Sequence, residues 1–539
     1  MTRARGQDMA SEVRGTVVGP RGAVHDAATA PRPPREAGGA SRRGPAWRRS
    51  WRPAWRPAPY AVVGGGFWLL VAVVAWHTPI MSDFGQHASA VQRIRDSPLH
   101  PANPLLNEPG TGSPYYSPYV VALGLLARLT GAAGWQMVRW AGPLNLAVLV
   151  AGVGVYARTL SARRLAPVYA LAAFTLLWGV RSKEWSGFCG LWSLTRGASY
   201  PSTFAVGLTF LLWAWTDRLA RRGGPPAQYA GLGAAAGVLL LVHPITALGA
   251  AVGIAATVLG RQPGRSRAVL LRWGLACATG VAVAAVWPYF DVFSLAGDTT
   301  VDHVHRRLYA HPWQWYGLAL VGAPALARRL RAHARDPLAR MFAAYCLIAG
   351  YGWLSGHYTY GRVLGLLLVP LQFALAVELA SAPPWTRLRR ALAGLSAVAL
   401  AFALVAQAGA VVPQRLLPAV TPHPARWPDY RWVADRVPPG AVVLTGASVP
   451  QHVLPAYGLF LVAPTWPDPS TPAADRARRW SDLTTYFTRG TPDTTRTALA
   501  HHYGATWLLL PPATRAPTGT VLITTSPTTG ERLFRLPSR

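Results

Sequence analysis

The chain has 539 residues, 51% of them hydrophobic and only 14% charged. Apolar runs recur from position 60 to about 412, which excludes a string of soluble domains and reads as many membrane spans. The formal net charge is +32, carried almost wholly by arginine in short clusters between apolar runs. That is the pattern of loops facing the cytoplasm, not of a nucleic-acid surface.

In chain order, residues 1–58 are rich in Arg, Pro, Gly and Ala, with twelve arginines and four acids. They read as a disordered, basic cytoplasmic tail without a cleavable leader, drawn to anionic lipid in the bilayer. Spans are predicted near 60–80, 136–157, 165–180, 202–217, 228–241, 243–259, 269–290, 313–327, 338–355, 363–380 and 391–411, about eleven in all. With the N-terminus inside, the Arg clusters at 158–164, 217–224, 260–267, 328–336 and 387–390 all fall on the cytoplasmic side. Loops 81–135, 181–201, 291–312 and 356–362 then fall outside. The stretch 119–131 is apolar enough to cross; lying in the interface, it preserves the alternation, and about thirteen spans is the alternative count. His243 and Pro244 break 228–259 into two spans near the outer face.

Beyond 421 the texture changes. Strands are predicted at 441–446, 457–464, 505–511 and 521–525, with amphipathic helices between them. Residues 421–539 therefore read as a small extracytoplasmic α/β domain. It has no Gly-rich phosphate loop, and no chemistry is assigned to it. Three cysteines are too few for a disulfide framework, and Cys277 and Cys346 are expected as small core residues.

Acids are scarce and therefore informative: ten occur between 60 and 412, seven of them in the outer loops. Asp83, in MSDFGQHASAVQRI, follows the first span directly. Ser82 is expected to cap a helix there, which stacks Asp83 and His87 on one face at i, i+4. A carboxylate at the membrane rim is partly desolvated and can serve as a general base; the same acid could instead complement the helix dipole. The Pro- and Tyr-dense remainder of loop 81–135 fits a short interfacial helix and a substrate groove. In the second outer loop, RSKEWSGFCGLWSLTRGASYPS, Glu184 is a second candidate carboxylate. Arg196 and Lys183 are phosphate candidates there, Tyr200 is a candidate substrate contact, and Trp185 and Trp192 read as interface anchors, with stacking on a sugar ring the alternative. Arg362 opens a span on the side that usually lacks positive charge, where its fork of donors suits phosphate; His357, Tyr358 and Tyr360 stand beside it. Asp302, His303 and His305 cluster in sequence, but that spacing does not share a helix face, so no metal site is assigned. Asp83, His87 and Glu184 form the alternative metal grouping.

These features together resemble the GT-C class of polytopic membrane glycosyltransferases, which includes protein O-mannosyltransferases, lipid A aminoarabinose transferases and many bacterial members. The resemblance rests on the acid after the first span, Asp83 in SDFGQH, and on its Pro/Tyr-rich continuation GSPYYSPYVVALGLLARLTG. It extends through RWAGPLNLAVLVAGVGVYARTLSARRLAP and YTYGRVLGLLLVPLQFALA to an extracytoplasmic C-terminal domain. Phe84 stands where a paired acid is found in the class, and Glu184 is the substitute from the second loop. The resemblance implies a polyprenyl-phosphate-linked sugar donor, an envelope glycan, lipid or protein acceptor, and transfer at the outer face with inversion. Asp83 would be the base; Arg362, with Arg196, would stabilise the leaving phosphate; His87, Tyr200, His357 and Tyr358 would contact substrate. No cofactor is implied, a divalent metal being the alternative. Two rival classes are an inactive envelope scaffold and a lipid or solute transporter. The transporter is disfavoured because ionisable residues are almost absent from the middle of the spans.

Overall fold

The computed structural model describes residues 58–537 apart from 111, 182, 263, 265, 419 and 420. The expected basic tail thus lies almost wholly outside the described residues.

Proline stands at the first or second position of nine of the twenty described α-helices, because its fixed φ and missing N–H suit the first turn. The first five helices are α1 (Pro59–Trp76), α2 (Phe84–Asp96), α3 (Pro118–Thr130), α4 (Gly134–Leu160) and α5 (Ala166–Leu176). They are followed by α6 (Leu191–Gly197), α7 (Pro201–Arg222), α8 (Pro226–Val242), α9 (Pro244–Arg261) and α10 (Arg267–Ala285). Next come the short α11 (Asp302–His305) and α12 (Pro312–Tyr316), then α13 (Ala323–Ala332), α14 (Pro337–Ser355), α15 (Leu364–Leu379) and α16 (Arg387–Gln407). Every stretch read as a span is helical over most of its length. Six segments are long and apolar enough to cross a membrane by themselves: Pro59–Trp76, Gly134–Leu160, Pro244–Arg261, Arg267–Ala285, Tyr358–Leu379 and Arg387–Ala410. The protein is a multi-pass membrane protein.

The Arg-rich turns gather at one end of the bundle. Asp217 pairs with Arg221 at 2.7 Å and Arg261 at 3.2 Å, and Asp336 with Arg329 at 2.7 Å. Glu378 ties Arg328 (2.7 Å) to Arg389 (2.5 Å). Helix α3 packs Val120, Leu123 and Ala127 against Ile94 of α2 and leaves Leu125, Leu126 and Leu129 exposed. This one-sided packing is common to an interfacial helix and to a span at the edge of a bundle. Cys277 and Cys346 depart from expectation: both are exposed, on α10 and α14, rather than packed in a core.

The C-terminal segment contributes α17 (Arg431–Ala434), α18 (Ser448–Val453), α19 (Ala473–Phe487) and α20 (Asp493–His502). They accompany a five-stranded sheet of β1 (Val442–Leu444), β2 (Phe460–Leu461), β3 (Ala505–Leu510), β4 (Val521–Thr525) and β5 (Arg532–Arg535), ordered β2-β1-β3-β5-β4. β1 is parallel to β2 and β3; β5 runs antiparallel between β3 and β4. Alternation sends Val443, Trp507 and Leu509 to one face and Val442, Leu444, Leu508 and Leu510 to the other. The second face is covered by α19 and α20. The first shares a core with α2, α3 and α4, so 421–539 is not a separate body: Pro57–Arg539 forms one compact unit.

Polar clasps hold residues of the stretch 81–135 to this sheet and its flanking segments. Arg93 donates to the carbonyls of Gly458 (3.1 Å) and Leu459 (3.3 Å), and Ser113 to Asp468 at 2.6 Å. Arg479 pairs with Glu108. A Cβ at Gly85 would lie 1.9 Å from the His452 carbonyl oxygen, so only glycine lets α2 approach α18 this closely.

Candidate active site

After α1 the chain turns through Ser82, whose φ is +47°. The expected Ser82 cap is not formed. The left-handed backbone swings the hydroxyl away from α2 and onto Glu184 Oε1 at 3.2 Å, and no side chain caps that helix. Asp83 occupies the capping position, yet its carboxylate accepts no N–H and has no hydrogen-bond or ion-pair partner among the described residues. It faces a cavity of about 670 Å³ instead. Burial raises the Asp83 pKa above its ordinary range, and the Arg362 charge counters part of that rise.

His87 lies one turn further along the same wall. Its ring sits edge-on to Tyr115 (6.2 Å between centroids) and tilted against Tyr200 (5.2 Å). Burial lowers its pKa to about 4, so it is neutral at physiological pH. Across the cavity, Arg362 donates to the Ser186 carbonyl at 2.8 Å and to His305 Nε2 at 3.3 Å. His357 also lines the space, with Nδ1 3.5 Å from Asp302 Oδ2. Leu240, Val242, Ile245 and Leu248 of α8 and α9 give the cavity an apolar flank, and Trp466 and Pro467 reach it from the C-terminal segment.

The structure therefore brings Asp83, His87, His357 and Arg362 around one space, whereas Glu184, Arg196, Tyr200, Tyr358 and Lys183 lie outside its lining. Glu184 and Arg196 form an ion pair with each other at 2.9 Å behind Ser82. Burial raises the Glu184 pKa, which the Arg196 charge offsets in part. Tyr200 is buried and donates to the Met81 carbonyl at 3.1 Å, holding the turn that presents Asp83. Tyr358 packs on Tyr309 (5.8 Å) and Trp353 (5.9 Å). Lys183 donates to the Arg307 carbonyl at 2.7 Å, with its ammonium over the Trp315 ring. His303 is exposed while Asp302 and His305 turn inward, so this trio does not converge. Among the described residues, no three His, Cys, Asp or Glu side chains could jointly hold a metal.

His243 and Thr359 also line the cavity and were not singled out as site residues in the sequence. The only signal for His243 was the His-Pro break itself. Its Nδ1 accepts from the Thr246 backbone N–H at 3.3 Å and lies 2.8 Å from the Thr246 hydroxyl, so it caps α9. A neutral imidazole fixed in that way carries its proton on Nε2.

No protein-family model and no curated protein sequence matches the chain. Solved structures do. The arabinofuranosyltransferase AftD from Mycobacteria superposes with a TM-score of 0.54 at 17% identity, covering 89% of this chain and 40% of AftD. A mutant form of AftD gives 0.53 at 17%, covering 89% and 41%. An oligosaccharyltransferase of Archaeoglobus fulgidus, tethered to an acceptor peptide, gives 0.41 at 11%, covering 83% and 69%. The chain thus spans about two-fifths of AftD's length. At these identities the likeness concerns the fold alone, which this chain shares with part of AftD.

Proposed function

We propose that the protein transfers a sugar from a polyprenyl-phosphate donor to an envelope glycan, lipid or protein acceptor at the outer face of the membrane. One observation carries this reading: an unpartnered, desolvated Asp83 carboxylate and the Arg362 guanidinium share a cavity that has an apolar flank. Asp83 takes the proton of the acceptor hydroxyl as that oxygen attacks the anomeric carbon. The anomeric C–O bond breaks with inversion, and its electron pair leaves on polyprenyl phosphate. Arg362 stabilises the charge that develops on the phosphate, while the apolar flank receives the first prenyl units. His87 and His243 offer neutral hydrogen-bonding groups to the sugar and phosphate, and His357 offers a further imidazole. Glu184 and Arg196 brace the Asp83 turn from behind. No step above calls on a metal, and transfer is expected to persist in a chelator. Loss that Mg²⁺ or Mn²⁺ restores would bring the metal alternative forward.

The test is sugar transfer in reconstituted vesicles with a panel of polyprenyl-phosphate sugars. The panel includes an arabinofuranosyl donor, because the fold likeness is to an arabinofuranosyltransferase. Asp83→Asn keeps the shape and removes the base, and a loss of about 100-fold is expected. Equal transfer by both forms would remove Asp83 from the mechanism. No transfer by a folded wild type across the panel would favour the scaffold or transporter.

A further inference from the structure

Two short segments meet at the cavity wall: α11, and the tight turn Tyr358–Val363 that opens α15. Arg362 donates from Nη1 to His305 Nε2 at 3.3 Å. A guanidinium has no acceptor, so Nε2 must accept, and the neutral imidazole carries its proton on Nδ1. That Nδ1–H meets Thr359 Oγ1 at 2.9 Å. The Thr359 hydroxyl then donates to Asp302 Oδ1 at 2.6 Å, which also receives the Thr359 backbone N–H at 2.7 Å. Every donor in the row therefore points the same way, from guanidinium to carboxylate. His305 is 2% exposed and Asp302 9%, so water competes little for these bonds.

Arg362 has five N–H donors; this row takes one and the Ser186 carbonyl another, leaving about three for a ligand. We propose that Asp302, acting through Thr359 and His305, is the positioning residue for Arg362. It fixes the His305 tautomer and the plane of the guanidinium, so that the remaining donors face the phosphate of a polyprenyl phosphate. The inference rests on the reading of Arg362 as the phosphate-binding group. Its physical content is a polarity. Without the Asp302 acceptor, the Thr359 hydroxyl is free to turn and donate to Nδ1. The imidazole proton then sits on Nε2, where it opposes the arginine N–H head-on.

Binding of farnesyl phosphate to the detergent-purified full chain tests this by titration calorimetry, with farnesol as the phosphate-free control. Thr359→Val keeps the branched shape and loses the hydroxyl; Thr359→Ser keeps the hydroxyl and loses the methyl. Thr359→Val is expected to weaken binding about tenfold, and Thr359→Ser to stay within about twofold of wild type. Arg362→Gln is expected to bind at least as weakly as Thr359→Val. Normal binding by Thr359→Val beside a loss in Arg362→Gln would overturn the positioning role and leave the phosphate reading standing. The reverse order, a weak Thr359→Ser and a normal Thr359→Val, would also overturn it, since packing alone predicts that order. Equal binding by wild type and Arg362→Gln would sink the phosphate reading and the inference with it. Thermal unfolding of each variant is measured alongside. Should Thr359→Val not fold, Asp302→Ala replaces it with the same expected tenfold loss, and unchanged binding there would overturn the role.

Discussion

At the scale of single residues, Asp83 is held at a cost that pH can expose. Its pKa is raised in the folded protein, so between the ordinary value of 3.8 and that raised value the folded state binds more protons than the unfolded one. Stability must then fall as pH rises through this window. Asp83→Asn should therefore unfold at a higher temperature than wild type near neutral pH, and the gap should close on acidification toward the ordinary value. A calorimetric melt at several pH values checks this, and an Asn variant no more stable than wild type at neutral pH would contradict the raised Asp83 pKa. The same shift should place the acid limb of sugar transfer above the ordinary carboxylate range, because the base must be ionised to work. Asp83, His87 and Arg362 were legible in the sequence because their signals are local: the rim of a span, an i, i+4 spacing, and a positive charge on the wrong side. Glu184 and Arg196 carry similar local signals, yet they neutralise each other at 2.9 Å, a fact that exists only in three dimensions. His305 and Thr359 were illegible as a unit because their row joins segments more than fifty residues apart.

At the scale of elements, the placement of Asp83 depends on how α2 lies against α18. A methyl at Gly85 would meet a backbone carbonyl at 1.9 Å, and neither side can yield by rotating a side chain. Gly85→Ala should cost about 1–3 kcal/mol, as overpacking does, and should reduce transfer by displacing Asp83. Gly65→Ala in α1 is the matched control: nothing lies within 4 Å of its added methyl, so stability and transfer should stay level. Thermal melts and the vesicle assay on both variants decide the point, and equal effects at the two positions would remove the close approach as the cause. The long helices and four strands were legible because each carries its own period and its own Pro or Gly stops, whereas the short α6, α11 and α18 lie in stretches that read as loops or carried no helix signal. Strand β5 was missed because ERLFRL is too charged to read as a central strand. The structure resolves the conflict by laying Arg535 over the Trp507 ring at 4.8 Å and turning Leu533 and Phe534 into the two cores.

At the scale of the whole molecule, the charge pattern and the site make one joint claim. The basic turns gather through Asp217, Asp336 and Glu378 at one end, while Asp83, His243, His357 and the C-terminal sheet stand together elsewhere in the fold. Loop charge is a local property, which is why this separation was legible in the sequence. The fusion of the C-terminal sheet to α2 and α3 was not, because contacts such as Arg93 to Gly458 link positions 365 residues apart. If the basic end is cytoplasmic, the cavity and the sheet must face outward. Single cysteines placed on a background with Cys277 and Cys346 changed to Ala can test this, Cys189 being buried and inert to a reagent in water. Arg335→Cys lies in an exposed basic turn and Thr494→Cys on the exposed face of α20. A membrane-impermeant maleimide should label Thr494→Cys on intact cells and Arg335→Cys only after permeabilisation. The opposite result would put the cavity on the cytoplasmic side. Asp83 and Arg362 would then meet substrates of the inner leaflet, and transfer at the outer face would have to be abandoned even if the enzyme moved sugar in vesicles.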